Sequence, residues 1–171
     1  MSTQPVDVRI ANWKDDYDFI RLVRITVFCQ EQSIPEELDF DGLDPECRHV
    51  LAFTNESEPI GTARMQRDGH LGRIAVLKEW RKQGVGTALV ESLIAIAEAE
   101  GLPRVYLNAQ VNAVPFYKQL GFAAESQPFY EAGIKHYRMT RKLAVGASNR
   151  SQGFNRSAQK LSREMFERNN Y

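Results

Sequence analysis

Apolar and polar residues alternate at the start of the chain, Val6, Val8 and Ile10 against Asp7 and Arg9, a period of two that predicts a half-buried strand. From Trp13 to Phe28 the period lengthens. Phe19, Leu22, Val23 and Val27 recur at three- and four-residue steps, predicting an amphipathic helix with Asn12 or an early aspartate as N-cap. His49–Thr54, Ile60–Gln66 and His70–Val76 are apolar runs divided by short turn-forming segments, which predicts an antiparallel meander. Val85, Leu89, Leu93, Ile96 and Ala97 share one helical face that Gly101 and Pro103 end, and Val105-Tyr106-Leu107 is the core of a further strand, Arg104–Gln110. Strand, helix, strand predicts a parallel pair with a right-handed crossover. Asn112 is placed to cap a short helix holding Pro115, Phe116, Tyr117 and Leu120, with Gly121 suited to a left-handed C′ position. Phe122–Glu125 and Lys135–Arg141 close the sheet around a turn at Glu131-Ala132-Gly133. The expected fold is α/β, a single domain over residues 1–143 with a mixed, mostly antiparallel sheet, a central parallel strand pair and flanking helices.

Residues 144–171 differ in composition. Gly146, Ser148, Asn149, Ser151 and Gly153 suit a flexible extension, while Leu161, Met165 and Phe166 give Ser157–Arg168 the pattern of an appended helix. The 22 basic and 22 acidic side chains of the 171 residues cancel, which argues against a general nucleic-acid binder. They are unevenly spread: residues 1–143 carry 17 basic and 20 acidic side chains, residues 144–171 carry 5 and 2. A basic extension that recruits RNA or a protein partner is therefore one reading. Cys29 and Cys47 have neither metal-ligand spacing nor the number for a disulfide framework, so no metal is expected. With no leader-like start and no run of about 18 apolar residues, the expectation is a cytoplasmic chain without a membrane segment. A homodimer is allowed.

Glu31 to Glu46 holds Glu31, Glu36, Glu37, Asp39, Asp41, Asp44 and Glu46 without a lysine or arginine, and Pro35, Gly42 and Pro45 discourage one continuous helix. Such a segment either presents carboxylates to a cation or is a solvated loop.

Arg81-Lys82-Gln83-Gly84-Val85-Gly86-Thr87 falls between a strand and a helix, where unpaired backbone N–H groups and the helix dipole favour an anion. A P-loop would need Lys-Ser/Thr after its second glycine, and a dinucleotide fingerprint a third glycine where Leu89 stands. What remains is Arg-x-x-Gly-x-Gly directly before a helix. Together with Leu71-Gly-Arg-Ile-Ala-Val, Leu107-Asn-Ala-Gln and Phe116-Tyr-Lys-Gln-Leu-Gly-Phe, this resembles the GNAT superfamily of N-acetyltransferases over residues 6–143. Phe28-Cys-Gln-Glu-Gln and Glu131-Ala-Gly-Ile-Lys-His-Tyr-Arg-Met resemble a bacterial subgroup of small members.

The resemblance implies acetyl-CoA as acyl donor and a primary amine of a small molecule or peptide as acceptor. It implies that Gln83, Gly84, Val85, Gly86 and Thr87 bind the pyrophosphate, with charge from Arg81 and Lys82, and that Ile74, Ala75 and Val76 offer their backbone to pantetheine and the thioester carbonyl. Asn112 and Phe116 would touch pantetheine, and Tyr117 would protonate the departing thiolate. A base for the amine is sought among Glu31, Glu36, Glu37, Asp39, His49 and His70, with Glu31 and His49 favoured by position; His136 reads as an exposed strand histidine. The other class of function is a non-catalytic acyl-CoA-binding or sensing module.

Overall fold

In the computed structural model, which describes residues 6–125 and 127–144, the chain opens with β1 (Asp7–Ala11) and α1 (Tyr17–Arg24). The predicted helix is displaced along the sequence. It starts later than Trp13 and widens into a π-helix over Ile25–Glu31. Ile25, Thr26 and Val27 are consecutive β-branched residues that crowd an α-helical turn, and the Thr26 hydroxyl donates to the Leu22 carbonyl at 2.8 Å, a bond that loosens the helical ladder. Before the helix, the Asp16 carboxylate accepts the Asn12 N–H at 2.8 Å and Arg9 at 3.0 Å, while Asn12 Oδ1 accepts the Lys14 and Asp15 N–H groups.

The chain divides into two units, one running to Arg67 and resuming over Leu71–Leu93, the other holding Asp68–His70 and the chain from Ile94. In the first, after the short α2 (Glu36–Asp39), β2 (Arg48–Phe53), β3 (Pro59–Met65) and β4 (Leu71–Val76) form the expected meander. With β1 they make an antiparallel sheet in the order β1-β2-β3-β4. The buried stripe of α1 and the π-helix packs here: Ile20 clusters with Ala11, Leu51 and Phe53, and Val23 and Val27 with Ala75. The division falls within α3 (Val85–Ala99). Its first turn rides directly on β3, where a Cβ built on Gly61 would stand 3.0 Å from Leu89 Cδ1, 3.1 Å from Val85 Cγ1 and 3.2 Å from the Ala75 carbonyl oxygen. At the far end Gly101, at φ +75°, lets its own N–H reach the Glu98 carbonyl and that of Leu102 the Ala97 carbonyl, the expected glycine stop.

The second unit holds β5 (Arg104–Gln110), α4 (Val114–Gln119), β6 (Ala123–Ala124), β7 (Phe129–Glu131) and β8 (Ile134–Lys142). β8 pairs antiparallel with β5, β6 and β7, and the predicted turn is a tight one with Ala132 and Gly133 at φ +50° and +75°. Two expectations change. Asn112 caps nothing, because it lies within a 3-10 turn, Val111–Ala113, and Ala113 takes the N-cap position. The central parallel pair is reduced, among the described residues, to one bridge between His70 and Tyr106. The proposed extension lies outside the described residues beyond Ala144.

Candidate active site

Hydrogen-bond alternation along β4, the last strand of its sheet, decides where each backbone group points. The Leu77 N–H donates to the Ile60 carbonyl at 2.9 Å, with Val76 opposite Gly61 and Ala75 opposite Thr62. Alternate residues of an antiparallel strand bond the same neighbour, so the N–H and C=O of Val76 face away from β3. Arg81 Nε donates to that carbonyl at 2.9 Å, and the Val76 N–H points along the outer edge. Between Val76 and the start of the strand the register slips by one residue, with Arg73 at φ +49°. Arg73 is held there by its side chain, which reaches the Asp39 carbonyl at 3.0 Å and the Asp41 carboxylate at 3.2 Å.

The turn that follows is shaped by Lys82 at φ +60° and Gly84 at φ +87°, the latter a conformation that favours glycine. The first helical bond of α3 runs from the Ala88 N–H to the Gly84 carbonyl at 3.0 Å. The N–H groups of Val85, Gly86 and Thr87 therefore have no acceptor within the helix and sit at the positive end of its dipole. Lys82, Gln83 and Gly84 are exposed beside them. Arg81 is committed elsewhere: besides Val76 it grips Glu31 with both terminal nitrogens, at 2.5 and 2.7 Å. That contact lowers the Glu31 pKa from its ordinary value, and Glu31, expected as a base, instead joins the end of the π-helix to the glycine turn.

His49 is likewise drawn inward. Its side chain is 1% exposed, its ring stacks on Trp13 at 5.2 Å, and Nε2 lies 2.8 Å from the Asp44 carbonyl, the distance of an N–H donor. Burial lowers its pKa, so the fold holds neutral imidazole. The sign follows from a folded pKa below the unfolded value of about 6.5: stability is full above that pH and declines as pH falls through it toward the folded value. Thermal melts from about pH 7.5 to about 5.5 should show Tm falling, and His49→Gln should flatten that slope. An equal slope in the variant would assign the acid loss to carboxylates.

The acidic segment is divided: Asp39 and Asp44 are buried against arginines, while Glu36, Glu37 and Glu46 stay exposed. Arg24 donates to Asp39 Oδ2 at 2.8 Å and Asp44 Oδ1 at 2.7 Å, and Arg64 to Asp41 at 2.8 and 2.6 Å and Asp44 at 2.8 Å. The Arg64 guanidinium holds the Asp41 carboxyl far below the usual range. Glu36 pairs with Arg21 at 2.6 Å, and His70 stacks on Tyr106 with ring centroids 4.7 Å apart. Sequence reasoning missed Arg24, Arg64 and Arg73. Arg24 did leave a signal, since it falls on the apolar stripe of Ile20, Val23 and Val27.

Tyr117, on α4, packs edge-on against Phe116 at 5.0 Å and Phe122 at 5.9 Å. Burial pushes its phenol up to about 12, so at neutral pH it is a hydrogen-bond donor. Phe116 is half-buried and Asn112 exposed. Among the described residues no group of side chains is arranged to hold a metal ion, and no helix is long and apolar enough to cross a membrane.

Residues 20–143 match an acetyltransferase (GNAT) domain. The chain is 40% identical over 121 residues to the uncharacterized N-acetyltransferase YjcF of Bacillus subtilis, covering 68% of this chain and 86% of YjcF. The crystal structure of Escherichia coli ElaA superposes with a TM-score of 0.71 at 25% identity, over 80% of this chain and 99% of ElaA. An acyl-CoA N-acyltransferase from Pseudomonas aeruginosa gives 0.70 at 27% identity, again over 80% of this chain and 99% of that one. The chain belongs to the GNAT family of acetyltransferases, and it is an acyltransferase.

Proposed function

We propose that this protein moves acetyl from acetyl-CoA directly to a primary amine. The observation that carries the reading is the start of α3, where Gly84 at φ +87° precedes three N–H groups without helical acceptors. Such a cluster suits a pyrophosphate. In this reading Gln83, Gly84, Val85, Gly86 and Thr87 hold the pyrophosphate with charge from Lys82, while the backbone of Ile74, Ala75 and Val76 lies along pantetheine. Asn112 and Phe116 contact the same arm. The Val76 N–H polarises the thioester carbonyl and stabilises the tetrahedral oxyanion. Tyr117 donates a proton to the sulfur as it leaves. Arg81 and Glu31 act as a brace, fixing the Val76 carbonyl and the turn, and His49 supports the loop below it. The amine gives up its proton to water.

Calorimetry with CoA tests the reading. The wild-type protein should bind, and Gly84→Val, which strains a left-handed backbone position, should weaken binding at least tenfold; no binding at millimolar CoA would remove the proposal. The engagement of Glu31 and His49 with other protein groups favours one second reading, a binding or sensing module without turnover. CoA binding without acetyl transfer across a panel of amines would select it.

A further inference from the structure

β5 and β8 pair from Arg104 opposite Lys142 to Gln110 opposite His136, and residues opposite each other share one face of the sheet. One face thus carries Tyr106, Asn108, Arg138 and Thr140. Tyr106 is fixed in place: its hydroxyl donates to the Asp68 carboxylate and its ring stacks on His70 at 7°. Over that anchored ring lies the Arg138 guanidinium, 4.7 Å from the centroid. Arg104, also over the ring at 5.0 Å, is neutralised by Glu125 at 3.3 Å. Arg138 is exposed and, among the described residues, pairs with no carboxylate.

Directly opposite Arg138, Asn108 buries its side-chain oxygen Oδ1 with no hydrogen-bond partner, and Thr140, its diagonal neighbour, buries Oγ1 in the same condition. Buried acceptors in folded proteins are almost always matched, so this face lacks donors. It also offers one preorganised, planar cation. A ligand that satisfies both brings N–H groups to Asn108 and Thr140 and a single negative charge to Arg138. A carboxylate matches the guanidinium fork and its charge, whereas a phosphate dianion would leave one charge uncompensated.

We propose that this face recognises the acceptor, and that the acceptor is an amino carboxylate whose carboxylate pairs with Arg138 while its amine N–H donates to Asn108 Oδ1. The proposal rests on the acetyl-transfer reading above. The amine nitrogen attacks the thioester carbonyl carbon, the C–S bond breaks, the sulfur leaves with the Tyr117 proton, and the proton lost by nitrogen passes to water, which returns one to the Tyr117 phenolate. Asn108 accepts no proton; it orients the lone pair.

The test is acetyl-CoA-dependent thiol release with matched acceptors, phenylalanine against phenethylamine and lysine against cadaverine. The wild-type protein should show at least tenfold higher kcat/KM for the carboxylate-bearing member. Arg138→Gln should bring that ratio near one by raising KM for the amino acid. Asn108→Leu should lower kcat/KM for both members at least tenfold, with its urea midpoint confirming a folded protein. Equal wild-type rates within each pair, an unchanged ratio in Arg138→Gln, or preference for an aminoalkylphosphonate would overturn the proposal. Failure to bind CoA would instead sink the acetyl-transfer reading itself, so the two failures are separable.

Discussion

Arg24→Ala is expected to destabilise the protein by about 3–5 kcal/mol, seen as a lower urea midpoint at unchanged slope. Its side chain is 1% exposed and makes three bonds at once, to the Asp39 carboxylate, the Asp39 carbonyl at 2.6 Å and the Asp44 carboxylate. The guanidinium also lies 4.3 Å from the centroid of the Phe40 ring. Truncation leaves two desolvated carboxylates, with side chains 3% and 2% exposed, short of a counter-charge. Arg21→Ala is the internal control. Its pair with Glu36 is solvated on both sides, 41% and 50% exposed, so its loss should leave the urea midpoint nearly unchanged. Similar losses in the two variants would mean that the buried network contributes nothing beyond a surface pair.

Tyr117→Phe should lower kcat by about 100-fold while CoA affinity stays within about twofold. Phenylalanine preserves the edge-on contacts with Phe116 and Phe122 and deletes only the hydroxyl. Because burial holds the phenol near 12, the wild-type rate should show no loss from Tyr117 ionisation through neutral and mildly alkaline pH. Stopped assays with acetyl-CoA and an active amine measure the first quantity, and calorimetry the second. Unchanged turnover would leave Tyr117 as a packing residue.

The parts legible in the sequence were those decided by local chemistry. Gly84, Gly101 and Gly121 all take positive φ, as turn and helix-end positions demand, the period-two start became β1, and the apolar runs divided by short turns became the expected meander. The exposed turn before α3, whose N–H groups lack helical acceptors, was legible for the same reason. What local pattern could not reveal was partnership at a distance. The acidic segment meets Arg24 across 15 and 20 residues and Arg73 across 32, so its charges are neutralised by elements whose approach only the tertiary fold decides. Glu31 meets Arg81 across 50 residues, a pairing that nothing in the local pattern announces. The π-helix was hidden because its apolar spacing, read as an α-helix, still buries Val27. Asn112 had the right chemistry for a cap, but the chain makes a 3-10 turn there and starts α4 at Val114.

Gly61 has a consequence for how such a protein can diverge. No donor-binding role falls to it, yet its missing side chain sets how low the first turn of α3 lies on β3. One added methyl would meet the far ends of two side chains and one carbonyl oxygen, lifting or tilting the helix start by a few tenths of an ångström. The height of the turn before α3 is therefore adjustable from inside the core, and on the proposed reading of that turn a change at Gly61 would alter CoA affinity without touching the ligand.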